Sequence, residues 1–213
     1  MKLTCWSWEK TAIVIPIIIS LCTAYLSYVI GDNQSKISKL EYAPIFIFQK
    51  SLEYDEVLKI YHTERLTISN EGYPVQNFDE SIHTFLLVKQ STDRETKEKL
   101  IPINYFWIGY TANGGKGKLS ELFGKNNNSY YFELSREIIE FNQKNREKTI
   151  NISLINTAKL SYVEADGSIK ESYYKDEKLT TKDDVMALEE KSIKMFPKDI
   201  QNFKLDDLLE LLN

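Results

Sequence analysis

His62 and His83 are the only imidazoles in this 213-residue chain, and Asp79 precedes His83 by four positions. Such a set could hold a metal ion if the three converged in space. No HExxH or HxxxH spacing forces the two rings together, so any site would have to be assembled by folding. A hydrolase built around His62 and His83 is therefore the enzymatic alternative. A surface or half-buried place for each ring is the plainer one.

Other patterns fail at a required atom. Gly109 to Lys116, GYTANGGK, follows an apolar stretch and approaches the phosphate-loop pattern GxxxxGK[ST]. An extra glycine intervenes before Lys116, and Gly117 stands where a magnesium-binding hydroxyl is needed. A turn between strands is expected there. Ser172-Tyr-Tyr-Lys175 matches SxxK, but it lies in a β pattern, where positions i and i+3 point to opposite faces. The acidic pairs Asp79-Glu80, Asp183-Asp184 and Asp206-Asp207 lack the spacing of a calcium loop, and the last two fall where helices should start. Sequons at Asn33, Asn127 and Asn151 number about what chance gives in an Asn-rich chain.

Both cysteines, Cys5 and Cys22, fall near the N-terminus, so the remainder contains no thiol. That excludes a disulfide framework, a cysteine nucleophile and a cysteine metal centre from it. No cofactor is expected. The formal charge is −4, with 27 % charged and 12 % aromatic residues, as in an ordinary folded chain. The excess acid sits between Asp176 and Asn213. No basic stripe with interleaved aromatics exists, so no nucleic-acid partner is expected.

The elements that would have to hold these residues divide the chain unevenly. Thr11 to Ile30, TAIVIPIIISLCTAYLSYVI, contains no charge, and ~20 apolar residues cross a hydrocarbon core. Pro16 lies within this run, where lipid tolerates a kink. Trp6 and Trp8 precede it and Tyr25 and Tyr28 lie near its far end, suiting aromatic belts at both interfaces. The run exceeds the ~7–15 residue core of a cleaved signal and lacks small residues at a cleavage position. An uncleaved signal-anchor is expected, with Leu21 arguing against lipoprotein processing at Cys22. Lys2, Lys10 and the terminal amine, set against Lys36 and Lys39, slightly favour an inside N-terminus. Ser20 with Ala24, and Thr23 with Ser27, place small residues four apart, a face that permits helix pairing in lipid.

Five segments follow: a tail over 1–10, the anchor over 11–30, a tether over 31–41, a β-rich domain over 42–175, and an acidic helical tail over 176–213 packed on it. Ile45–Phe48, Val57–Ser69, Ile82–Val88, Ile101–Tyr110, Thr149–Val163 and Ile169–Tyr174 read as strands. Turns are expected at Asn70-Glu71-Gly72 and at Asp166-Gly167. The fold class is mainly β, a β-sandwich or barrel-like domain with one inserted helix and C-terminal helices. The inserted helix is expected from Ser135 to about Glu147. A capping box at Thr181 and Asp184 opens another, running to about Phe196 before Pro197. Leu205, Leu208, Leu209 and Leu212 form a narrow stripe on a last helix, to be buried on its own domain or in a partner's groove.

These readings add up to a single-pass protein of the cell membrane. It would present an extracytoplasmic β-rich binding domain to another envelope protein, with oligomerisation through the span. Besides the hydrolase, the alternative is a cytoplasm-facing, membrane-tethered scaffold.

Overall fold

The computed structural model describes residues 8–57 and 59–212. Cys5 and Trp6 lie outside the described residues. The chain divides into two compact units, Met1–Ala43 and Pro44–Asn213.

The first unit is the helix α1, Trp8–Glu41. Its segment Val14–Ser38, 25 residues, is long and apolar enough to cross a membrane, and none of it is buried within the protein. Thr11, Pro16 and Ile30 all lie on α1. The helix runs on through residues 31–41, where the sequence suggested a separate tether. Two features account for this. Asp32 and Lys36 pair at 2.7 Å with the i, i+4 spacing that supports a helix. No proline occurs between Pro16 and Pro44, and the residue before a proline is steered away from helical geometry, so the helix stops just short of it.

The second unit is mainly β. In chain order it consists of β1 (Phe46–Asp55), β2 (Ile60–Thr92), β3 (Thr96–Asn104), β4 (Trp107–Thr111), β5 (Gly114–Phe123), α2 (Asn127–Lys144), β6 (Lys148–Val163), β7 (Ile169–Lys175), β8 (Lys178–Thr180), α3 (Lys182–Lys191), β9 (Lys198–Asp199) and α4 (Leu205–Leu212). A 3-10 turn, Ile200–Asn202, lies between β9 and α4. The strands belong to one sheet, ordered β4-β5-β2-β6-β7-β8, with β1 and β3 also paired to β2. Every pairing is antiparallel except β3 with β9.

β2 organises the unit because it pairs with four other strands. Its first part carries Leu66 and Ile68 inward at the period of two that a pleated strand requires. Further on, the adjacent Phe85 and Leu86 are both buried, so the strand is covered there on both faces. Asn70-Glu71-Gly72 does not end the strand. Instead β2 bends, and its register with β5 shifts between Asn70 and Val75. The buried Asn70 amide bridges the bend: its oxygen accepts from Ile45 and Gly72 N–H, and its nitrogen donates to the carbonyls of Tyr73 and Gly115. A side chain that fully satisfies the freed backbone removes the reason for a chain reversal.

Two apolar cores result. In the first, Leu86 and Val88 of β2, Ile101 and Ile103 of β3 and Ile150 of β6 are covered by Leu134 and Ile138 of α2 and Leu208 and Leu212 of α4. In the second, Leu66, Ile68 and Phe78 of β2 and Leu119 and Leu122 of β5 meet Leu160 and Tyr162 of β6 and Tyr174 of β7. Ring contacts join β1 to this second core, Phe46 with Tyr162 at 5.0 Å and Phe48 with Tyr174 at 4.7 Å between centroids. The stripe on α4 is thus occupied by its own domain, with Leu205 and Leu209 partly buried beside Leu208 and Leu212.

The boundary between the cores is polar. Phe106 packs against both. Beside it the fully buried Asn127 accepts a hydrogen bond from Glu64 N–H at 2.8 Å and donates to the Tyr105 carbonyl at 3.0 Å. Gly124 makes room for it, because a Cβ there would lie 2.1 Å from Asn127 Cγ. Asn127 therefore belongs to the interior, not to a glycosylated surface.

α2 begins at Asn127, well before the expected start at Ser135. Asn126 launches it from the left-handed region, with φ 56°, a conformation asparagine tolerates better than most residues. Ser135 is mid-helix and donates its hydroxyl to the Tyr131 carbonyl one turn back. α3 has the expected capping box, with Thr181 Oγ1 accepting from Asp184 N–H. It ends at Lys191 rather than near Phe196, because Ile193 N–H turns to the Leu100 carbonyl of β3.

Candidate functional site

The structure does not bring His62, His83 and Asp79 together into a metal site. The His62 ring contacts Thr63 and Asn126 at the start of α2. His83 contacts other partners altogether. Among the described residues, no three His, Cys, Asp or Glu side chains are grouped to hold a metal.

His83 nevertheless sits in a defined constellation. Its Nδ1 lies 3.1 Å from Glu189 Oε1 on α3, and its Nε2 lies 3.3 Å from Ser81 Oγ. A carboxylate can only accept, so Nδ1 donates to Glu189, and Nε2 faces the serine hydroxyl. Each side chain has a local reason to be there. Ser81 and His83 are two apart on β2 and so share one face of the strand. Glu189 lies one turn after the buried Val185, on the face of α3 that meets the sheet. The Thr181–Asp184 box fixes where α3 begins. Two hydroxyls, Thr181 and Thr180, donate to the Asp184 carboxylate and hold its pKa below the usual value.

Two recesses adjoin this bridge, and His83 and Glu189 line both. One, of about 270 Å³, is mostly apolar, with Ile82, Phe85, Ile103, Ile193 and Met195 in its wall. The other, of about 350 Å³, is lined by Ser81, Lys159, Tyr173, Lys182 and Met186 among others. Within it Glu171 is already engaged, accepting from Lys159 at 2.6 Å and from the Tyr173 hydroxyl at 2.6 Å. The Lys159 contact and then the Tyr173 hydroxyl hold the Glu171 carboxyl below its usual pKa.

The remaining sequence candidates fall into structural roles. Gly109 to Lys116 spans the β4–β5 hairpin. Ser172 is on β7 and shares a hydrogen bond with Tyr162, 3.0 Å away. Asp183 and Asp184 occupy the first turn of α3, and Asp206 and Asp207 that of α4, where carboxylates suit the helix dipole. Glu80 is buried, with Oε1 accepting from Thr111 and Ser120. Its Oε2 has no hydrogen-bond partner among the described residues. On α1, Ser20, Ala24 and Ser27 are exposed, and Thr23 returns its hydroxyl to the Ile19 carbonyl of its own helix.

A second charged cluster lies near the boundary of the cores. Lys50 of β1 is 2.5 Å from Glu177 and 3.6 Å from Glu64. Burial disfavours its charge, but the hydrogen bond to Glu177 and the charge of Glu64 outweigh that, and its pKa is raised. Tyr105 donates to the other Glu64 oxygen at 2.9 Å, and burial followed by that carboxylate pushes its phenol pKa far up. Both effects hold the groups in their ordinary charge states, Lys50 charged and Tyr105 neutral.

Comparisons with family models, with curated proteins and with solved structures gave no match. The Ser81–His83–Glu189 arrangement was half legible in the chain. Serine and histidine two apart in a strand pattern must share a face. Glu189, over a hundred positions later on a helix, left no local signal of its role.

Proposed function

We propose that this is a single-pass membrane protein that presents its β-rich unit on the extracytoplasmic side as a binding domain for another envelope protein. The observation that carries this reading is α1, whose Val14–Ser38 segment is spanning in length and composition and is unburied by the rest of the chain. A soluble fold would have to hide such a surface. The anchor reading gives it a solvent. Orientation rests on the lysines and terminal amine that precede the span.

The binding surface is assigned to the tip of the β1–β2 hairpin. Leu52, Tyr54, Val57, Ile60 and Tyr61 are all exposed there, with Val57 at 90 %. The rings of Tyr54 and Tyr61 meet there at 5.0 Å between centroids, tilted by 57°, an aromatic pair of the residue type that anchors interfaces. Tyr130, Tyr131 and Tyr174 serve less well, because the first two pack against the first core and the third is in the second. The proposal includes a sandwich-like closure of the sheet, supported by the way β1, β2 and β5 residues meet β6 and β7 in one core.

The test is a single reporter thiol, Arg94→Cys in the exposed β2–β3 turn, with Cys5 and Cys22 replaced. Labelling by a membrane-impermeant maleimide in intact cells is expected. Protection until lysis would reverse the topology and overturn the proposal.

A further inference from the structure

A serine hydroxyl becomes a nucleophile when a base accepts its proton and a third group fixes that base. On the exposed face of β2 these three parts are in contact in the required order: Ser81 Oγ against His83 Nε2, and His83 Nδ1 against Glu189. Neighbouring positions on one strand explain the first contact. They do not explain the second, which brings in a carboxylate from α3 at the nitrogen that selects the right tautomer. We propose that Ser81, His83 and Glu189 form a nucleophile, base and orienting acid that hydrolyse small acyl esters bound across the two adjoining recesses.

The apolar recess of about 270 Å³, walled by Ile82, Phe85, Ile103, Ile193 and Met195, takes the acyl chain. Its size is just below the ~300–1,000 Å³ of ligand pockets, which restricts the substrate to a short chain. The second recess, lined by Ser81, Lys159 and Lys182, takes the alcohol. As Ser81 Oγ bonds to the ester carbonyl carbon, its proton passes to His83 Nε2. The carbonyl oxygen then bears the negative charge, and Lys182, lining the same recess as Ser81, is the cation assigned to meet it. The ester C–O bond breaks, and Nε2 returns the proton to the departing alkoxide. A water, losing its proton to the same nitrogen, then adds to the acyl carbon, the bond from that carbon to Ser81 Oγ breaks, and Nε2 returns the proton to Oγ as the acid leaves. The sum is ester plus water giving acid plus alcohol.

The charged and titratable groups around the ring are Glu189 and Lys182 of α3, Lys159 of β6, Glu171 and Tyr173 of β7, and Lys194 after α3. Glu189 acts through His83 as a positioning residue. The inference concerns only the second unit and does not depend on which side of a membrane it occupies.

The full chain in detergent, treated with a fluorophosphonate probe and assayed with p-nitrophenyl butyrate, tests it. Probe attachment at Ser81, located by peptide mass spectrometry, is expected, together with measurable hydrolysis. Ser81→Ala, at an exposed position, should leave the melting temperature unchanged, abolish labelling and lower the rate ~10²–10⁴-fold. Glu189→Gln should lower kcat at unchanged KM, because the ring loses the carboxylate that orients it. Absence of labelling in the unaltered protein, or hydrolysis equal in the Ser81→Ala variant, would overturn the proposal.

Discussion

The two cores of the β-rich unit differ in what closes them. The first is a sheet surface covered by helices, so its lid is made of side chains on α2 and α4 that no strand ladder holds in place. The second is closed by strands that are themselves hydrogen-bonded into the sheet, with aromatic rings filling the gap. A helix lid leaves when its apolar stripe loses its hold. A strand can leave only by breaking a ladder as well. The first core should therefore open locally, and the second should fail with the whole unit.

Removing α4 breaks this comparison most severely. Truncation before Leu205 uncovers the first core by taking away two buried leucines, Leu208 and Leu212, at ~1.5–3 kcal/mol each, or about 3–6 kcal/mol together. Thermal melting should show that loss, and a hydrophobic dye should bind the truncated protein while β6–β7 amides stay protected from exchange. Leu160→Ala is the matching cut in the second core, expected to cost ~2–5 kcal/mol. Its signature should be one cooperative transition at lower denaturant, without the dye binding. Dye binding in both variants would mean that the cores are not separable.

Asn127→Ala addresses the boundary. It strips partners from the Glu64 N–H and the Tyr105 carbonyl, at ~1–3 kcal/mol for each buried group left unpaired. If the boundary couples the cores, combining this change with Leu160→Ala should give a non-additive loss in denaturant titrations.

Alkaline pH probes the aromatic filling. Burial, and then the neighbouring Tyr162, push the Tyr174 phenol up to about 12. The fold therefore holds the neutral form more tightly than the unfolded chain does. That contribution is complete below the ordinary tyrosine value of ~10, and is lost as pH rises from there through the folded value. It amounts to roughly 1–2 kcal/mol once partial solvent screening is allowed for. Tyrosinate absorbance should rise together with unfolding, and Tyr174→Phe should delay both. The smallest effect expected is that of Thr181→Ala, ~1 kcal/mol from loss of the α3 cap. It should loosen Glu189 from His83, visible in the imidazole chemical shifts, without changing either core.

Much of this contrast could be read in the chain, but not where side chains bridge distant segments. Ile82–Val88, Thr149–Val163 and Ile169–Tyr174 fall within β2, β6 and β7, because alternation and β-branching act locally. Asp166-Gly167 turns the hairpin between β6 and β7, with Gly167 at φ 81°. Thr181 and Asp184 form their box. What escaped was set by tertiary partners. Asn70 reads as a turn residue until four backbone groups are found around its amide. Asn127 reads as part of a sequon until Gly124 lets it inside. Glu189 reads as a solvated charge until α3 docks beside His83.

β2 also limits how the protein can be made. Its pairings with β1 and β3 are between sequence neighbours and can form at once. Its longest partner, β6, arrives only after β3, β4, β5 and α2. Until then the uncharged quartet Phe85-Leu86-Leu87-Val88 lies along an unpaired edge, the kind of template on which partly folded chains associate. Yield on overproduction should then follow the race between β6 arrival and encounters among unfinished copies, and slower synthesis at lower chain density should help more than any gain in stability of the finished fold.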